Sequence, residues 1–72
     1  MKILNIRRLY NSYSGNPKYE IIAKDYKGNV IVGKTKTDGA IGYGIHSGMV
    51  GKNVKFDYHR TKRGNIIFDN FR

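Results

Sequence analysis

Three groupings of residues in this chain have side chains suited to chemistry. Gly28-Asn29-Val30-Ile31-Val32-Gly33-Lys34-Thr35 satisfies G-x-x-x-x-G-K-[ST], the pattern of loops that cradle nucleotide phosphates. That chemistry needs a strand, then a curled loop with its amides turned inward, then a helix beginning at the Lys-Thr pair. Here the interior of the match is Val-Ile-Val, whose β-branched side chains favour an extended ladder, and Lys36-Thr37-Asp38-Gly39 follows. The match therefore reads as one strand of a hairpin. Ile66-Ile67-Phe68-Asp69 imitates a metal-binding acidic strand end, but an apolar run closing on Asp is common turn punctuation.

The second grouping is His46 and His59, the two histidines of the chain. With no cysteine beside them they do not make a metal site. As a general acid and base they have the chemistry to cleave RNA, with a Lys or Arg stabilising the phosphorane. The strand register expected below puts His59 outward and His46 in a loop, which predicts two exposed histidines without partners. No Ser, His and acid set stands at a recognisable spacing, and there is no Cys nucleophile. The expectation is a protein that is not an enzyme, with no catalytic residue, metal or cofactor. Gly42-Tyr43-Gly44-Ile45-His46-Ser47-Gly48 has its third glycine one place too late for a dinucleotide loop and reads as a tight connector.

The third grouping, lysines and arginines interleaved with tyrosines, is the strongest. Fourteen Lys and Arg stand against five Asp and Glu in 72 residues, a net charge of +9. Such a surplus on a small body points to a polyanionic partner. It is uneven: residues 1 to 36 carry +6, residues 37 to 72 carry +3, and the stretch from Gly39 to Gly51 has no Lys, Arg, Asp or Glu.

These side chains need elements to position them, and composition says which. Nine Ile, four Val, three Thr and nine aromatic residues make a strand-favouring set of 25, against seven Leu, Ala, Met and Glu. That contrast excludes a helical bundle. A first strand is expected from Lys2 to Tyr10, with Leu4 and Ile6 inward and a bulge at Arg7-Arg8 restoring phase for Leu9. Asn11 to Pro17 reads as a loop. In a second strand Tyr19, Ile21 and Ala23 alternate with Glu20, Ile22 and Lys24, the face of Lys24 also including Tyr26. Asp25-Tyr26-Lys27-Gly28-Asn29 reads as a hairpin turn, and Val30 and Val32 share one face of a third strand running to about Lys36. Thr37 or Asp38 is expected to cap a brief helix burying Ala40, Ile41, Tyr43 and Ile45, shortened by four glycines. Val54, Phe56 and Tyr58 then share one face of a fourth strand, Arg60 to Asn65 is a charged hairpin loop, and Ile66 to Phe71 is the last strand.

The fold class expected is thus all-β, in the order β-β-β-short α-β-β, as a small five-stranded OB-like or SH3-like barrel forming a single domain over residues 1 to 72. In an OB-like barrel strands two and three present the ligand face. Lysines there would follow phosphates while tyrosines stack on bases. The expected nucleic-acid-binding residues are Arg7, Arg8, Tyr10, Tyr13, Lys24, Tyr26, Lys34, Lys36, Arg60, Lys62 and Arg63. Tyr19, Tyr43 and Tyr58 are expected in the core.

Gly15-Asn16-Pro17-Lys18-Tyr19, then Thr37-Asp38, Tyr43, Gly51 and Val54, resemble as a set small, uncharacterised basic β-proteins encoded by bacteriophages. The resemblance covers most of the chain and rests on turn and core residues, so it brings no catalytic position. It implies a setting, since small phage proteins often bind nucleic acid or disable a host factor.

DNA or RNA is the partner these features favour. The alternatives are a host protein or bacterial-immunity factor bound by a phage modulator, and a nucleotide messenger held by the chain. Self-association stays open, because the core of so short a chain is small. The early charges at Lys2, Arg7 and Arg8 do not fit a signal peptide, and no apolar run approaches a membrane span. A cytoplasmic protein, in the bacterial host cell if phage-encoded and without membrane partners, is the expectation.

Overall fold

Two hairpin turns of the same build organise the chain, in a computed structural model that describes residues 1–11, 15–37 and 39–71. In the first, the Asp25 amide donates to the Asn29 carbonyl and the Gly28 amide to the Asp25 carbonyl. In the second, Thr61 and Asn65 make the same pair, and Gly64 donates to Thr61. Each turn reverses through a glycine with positive φ, 89° at Gly28 and 82° at Gly64, a conformation that strains residues with a Cβ.

The turns join β2 (Tyr19–Lys24) to β3 (Val30–Thr35), and β4 (Phe56–Arg60) to β5 (Ile66–Phe71); β1 (Lys2–Arg8) precedes them. All five strands lie in one sheet, ordered β1-β2-β3-β5-β4. Neighbours are antiparallel except β3 and β5, which run parallel with Gly33 beside Ile66 and Thr35 beside Phe68. The glycine-rich pattern G-x-x-x-x-G-K-T is thus mostly strand β3, as its Val-Ile-Val interior requires.

The core lies under one face of this sheet. Ile3, Ile21, Ala23, Ile66 and Phe68 come from the strands, and Ile41, Ile45, Met49 and Val54 close it from below. Phe68 is fully buried, with its ring centroid 4.6 Å from that of Phe56 and 6.1 Å from that of Tyr58. Thr35 is the buried polar side chain among the described residues, and its hydroxyl accepts the Tyr19 amide at 3.1 Å. The part-buried Tyr19 amide thereby has a side-chain acceptor at the start of β2.

Several expectations are corrected. The irregularity in β1 falls between Ile3 and Asn5, not at Arg7-Arg8: Ile3 pairs with Ala23 and Asn5 with Ile22, leaving Leu4 as the extra residue. The bulge lets Ile3 and Ile6, three apart, both meet the core, so Leu4 is exposed. Strand β1 stops at Arg8 rather than Tyr10, and β3 at Thr35 rather than Lys36. Tyr26 lies in the turn beyond β2.

The short α-helix is replaced by two 3-10 turns, Ile41–Gly44 and Ser47–Met49. The first turn packs its backbone against Pro17, where a Cβ at Gly42 would fall 2.0 Å from the Pro17 carbonyl oxygen, so this position takes only glycine. Ala40 precedes the first turn without a side-chain cap, while Thr37 instead accepts bonds from Lys18 Nζ and Asn16 Nδ2. Asp38, the other expected cap, lies outside the described residues. Ala40 and Tyr43 are exposed, because turns this short bury only Ile41, Gly42, Ile45 and Met49.

The sheet is not closed. β1 is tied instead to the segment before β4, where Ile3 donates to Lys52, Gly51 to Ile3, and Val54 to Met1, with Lys2 bridging Asn53. The tie ends at Ile3, where the bulge shifts the phase of β1. No helix among the described residues is long and apolar enough to cross a membrane.

Gly33 is the position most sensitive to size. A Cβ there would meet the Phe68 ring at 2.6 Å, Ile66 Cγ2 at 2.8 Å and the Ile66 carbonyl oxygen at 2.9 Å. Gly33→Ala should lower stability by about 1–3 kcal/mol through overpacking, read as a drop in the urea midpoint. The same substitution at exposed Val32 should move it by less than about 1 kcal/mol.

Candidate nucleic-acid interface

Because β3 and β5 run parallel, the hairpin turns that precede them project from the same end of the sheet. Asp25 builds the first turn with its carboxylate: Oδ1 accepts the amides of Lys27 and Asn29, both at 2.9 Å, and Oδ2 the Asn29 side-chain amide. These bonds, the Asn29 amide first, hold the carboxyl below its ordinary value against a smaller opposing cost of desolvation. In the second turn Thr61 Oγ1 takes the place of the carboxylate and accepts the Asn65 amide. Both turns thus satisfy their own backbone and leave the tip side chains to solvent.

At the first tip, Tyr26 is 93% exposed and Lys27 Nζ sits 5.8 Å from its ring centre. At the second, Lys62 and Arg63 are exposed, with Arg60 at its base donating weakly to the Gly64 carbonyl at 3.4 Å. Lys24, at the end of β2, is exposed beside the first. Five cations and one accessible aromatic ring gather at this end, where Asp25 is the acid and is occupied by the turn.

A second feature crosses the outward face. Arg7, Glu20, Lys34, Ile67 and His59 stand in register on β1, β2, β3, β5 and β4. Arg7 pairs with Glu20 at 3.3 Å. His59 Nδ1 lies 2.7 Å from Asp69 Oδ2, which corrects the expectation of an unpartnered histidine. The register shift in β4–β5 explains it: Asp69 is the extra residue between Phe68 and Asn70 and turns toward His59. Where β3 and β5 diverge below Gly33 and Ile66, a partly open groove of about 390 Å³ is lined by Glu20, Val32, Lys34, Asn65 and Ile67.

The other expected residues separate. Tyr10 is exposed at the opposite end of the sheet from the two tips, since the β1–β2 connection follows Arg8 and precedes Tyr19. Tyr13 lies outside the described residues. Arg8 is committed to its own chain: its guanidinium stacks 5.2 Å from the Tyr19 ring centre and donates to the Leu9 and Lys18 carbonyls and Asn11 Oδ1. Lys36 is exposed just beyond β3, and its backbone amide extends the β3–β5 ladder to the Phe68 carbonyl. Tyr19 packs against the core, whereas Tyr43 and Tyr58 are exposed, Tyr58 touching Phe68 by one ring edge.

Sequence reasoning missed Lys27, Glu20 and Asn65. Lys27 had a readable signal, its place at a turn tip beside Tyr26. The other two are brought to the groove only by strand pairing. Among the described residues no three His, Asp or Glu side chains gather where a metal ion could be held. Comparison with protein-family models, curated proteins and solved structures finds no match to this chain.

A carboxyl held below its ordinary value stabilises the fold above that ordinary value, and the contribution fades as pH falls through the lower, folded one. Asp25→Asn should therefore cost most stability at neutral pH. Urea midpoints of the two proteins should converge as pH falls below the ordinary carboxyl range and the wild-type carboxylate takes up its proton. A gap independent of pH would show that charge at Asp25 is not what holds the turn.

Proposed function

We propose that this chain is a small non-enzymatic module that binds single-stranded DNA or RNA, following phosphates with cations and stacking bases on tyrosine. The observation that carries this reading is the pair of hairpin tips at one end of the sheet. The first presents Lys24 and Lys27 with exposed Tyr26, its acid already hydrogen-bonded into the turn, and the second presents Arg60, Lys62 and Arg63. An acidic protein would satisfy the cations equally, but the unburied ring with an ammonium beside it suits a base plane better.

The strand order and the parallel β3–β5 pair support an OB-like arrangement, in which the second and third strands and the loop between the fourth and fifth meet the ligand. The resemblance to small phage proteins adds a setting inside an infected bacterial cell to the proposal.

Fluorescence anisotropy with labelled thymidine and uridine oligomers tests it. If all five cations take phosphates, log affinity should fall with log salt at a slope of about −3.5. Lys27→Glu and Lys62→Glu should each weaken binding more than Lys55→Glu, which changes the same charge before β4. Tyr26→Ala should weaken it by about tenfold or more through lost stacking. No binding near 50 mM salt, or equal losses at Lys27 and Lys55, would sink the reading; capture of a protein from nuclease-treated lysate would replace it with the host-factor alternative.

A further inference from the structure

We propose that the groove at the fork of β3 and β5 is a guanine-selective base pocket. The inference rests on the reading above for its polymer context, but the pocket has its own geometry. Its volume of about 390 Å³ is at the small end of ligand sites, in the range for a single heterocycle. The floor is the Gly33–Ile66 pair, where no side chain rises from β3. Val32 and Ile67 supply apolar walls for a ring plane, and Glu20, Lys34 and Asn65 supply polar groups.

The polar groups have an uncommon arrangement. Glu20 and Lys34 are directly opposite each other in the ladder, where opposite charges ordinarily pair. Among the described residues they make no ion pair, because the Glu20 carboxylate turns across β1 to Arg7. Arg7 engages Oε1, which leaves acceptor capacity on the carboxylate, while Lys34 keeps three donors and no acidic partner among the described residues.

The site therefore offers a carboxylate acceptor and a separate ammonium donor in a partly open groove that also has apolar walls. Guanine matches that pattern on one edge, with adjacent N1–H and N2–H donors for a carboxylate and an O6 acceptor for an ammonium. Adenine presents a single amino donor beside an acceptor. Uracil and cytosine present two acceptors and one donor, so each places lone pairs against the carboxylate. Glu20 is also the acid of the β2–β3 face in a chain with five acidic residues, a placement that weakens phosphate binding and so needs a purpose such as base discrimination.

Guanosine, adenosine and cytidine 5′-monophosphates titrated into isotope-labelled protein decide it. Guanosine monophosphate should bind about tenfold more tightly than the others and shift the amides of Glu20, Val32, Lys34, Asn65 and Ile67 most. Inosine monophosphate, lacking the 2-amino group, should bind more weakly than guanosine monophosphate. Glu20→Gln, which replaces one acceptor by a donor, should erase the preference while raising affinity for thymidine oligomers by removing a negative charge.

A thymidine oligomer with one central guanine, compared with one carrying adenine, separates the two readings. Tight but base-indifferent oligomer binding, with mononucleotide shifts absent from the groove, overturns the pocket and leaves the module. Guanosine monophosphate in the groove without oligomer binding overturns the module and leaves the pocket.

Discussion

The contact on which the rest of the structure depends is that of the Phe68 ring with the bare backbone of Gly33. Phe68 is the largest fully buried side chain, and it reaches its place because β3 has no Cβ where the ring passes. That contact fixes the parallel pairing of β3 with β5, the one pairing in the sheet that a hairpin cannot make. Around it Phe56 and Tyr58 pack from β4, so the aromatic centre joins the two hairpins into one body.

The same constraint shapes the outer surface. Parallel pairing gives β3 and β5 the same direction, which sends both turn tips to one end of the sheet, although β5 begins only beside Gly33, three residues into β3. Below Gly33 and Ile66 the strands part, and the separation becomes the groove. Core packing and the candidate binding surface are thus two faces of one strand junction.

Charge is handled by position. Arg7 and Arg8 look equivalent in a list of cations, yet Arg7 neutralises Glu20 and Arg8 braces the β1–β2 connection on Tyr19. Asp25 sits among the tip cations with its oxygens taken by turn amides, so that its carboxylate serves the turn. The cations left for a partner are those on turns whose backbone needs are already met. His59 and Asp69 show the converse, two exposed groups that a single extra residue in β5 brings into contact.

What the sequence determined by itself was local: the identity of the strands, the turns at Asp25–Asn29 and Thr61–Asn65, and the outward placement of Glu20, Ile22 and Lys24. Turn chemistry and period-two alternation act over a few residues, so they are legible in order along the chain. Tertiary structure decided the rest. The bulge moved to Leu4 because Ile3 and Ile6 had to meet the same core, a choice made by Ala23 and Ile21 across the sheet. In place of the expected helix stand two 3-10 turns, the first seated with Gly42 against Pro17, a neighbour 25 positions away. Glu20, Lys34 and Asn65 line one groove only after β2, β3 and β5 have paired, and no spacing along the chain encodes that meeting, because it depends on which strand lies beside which.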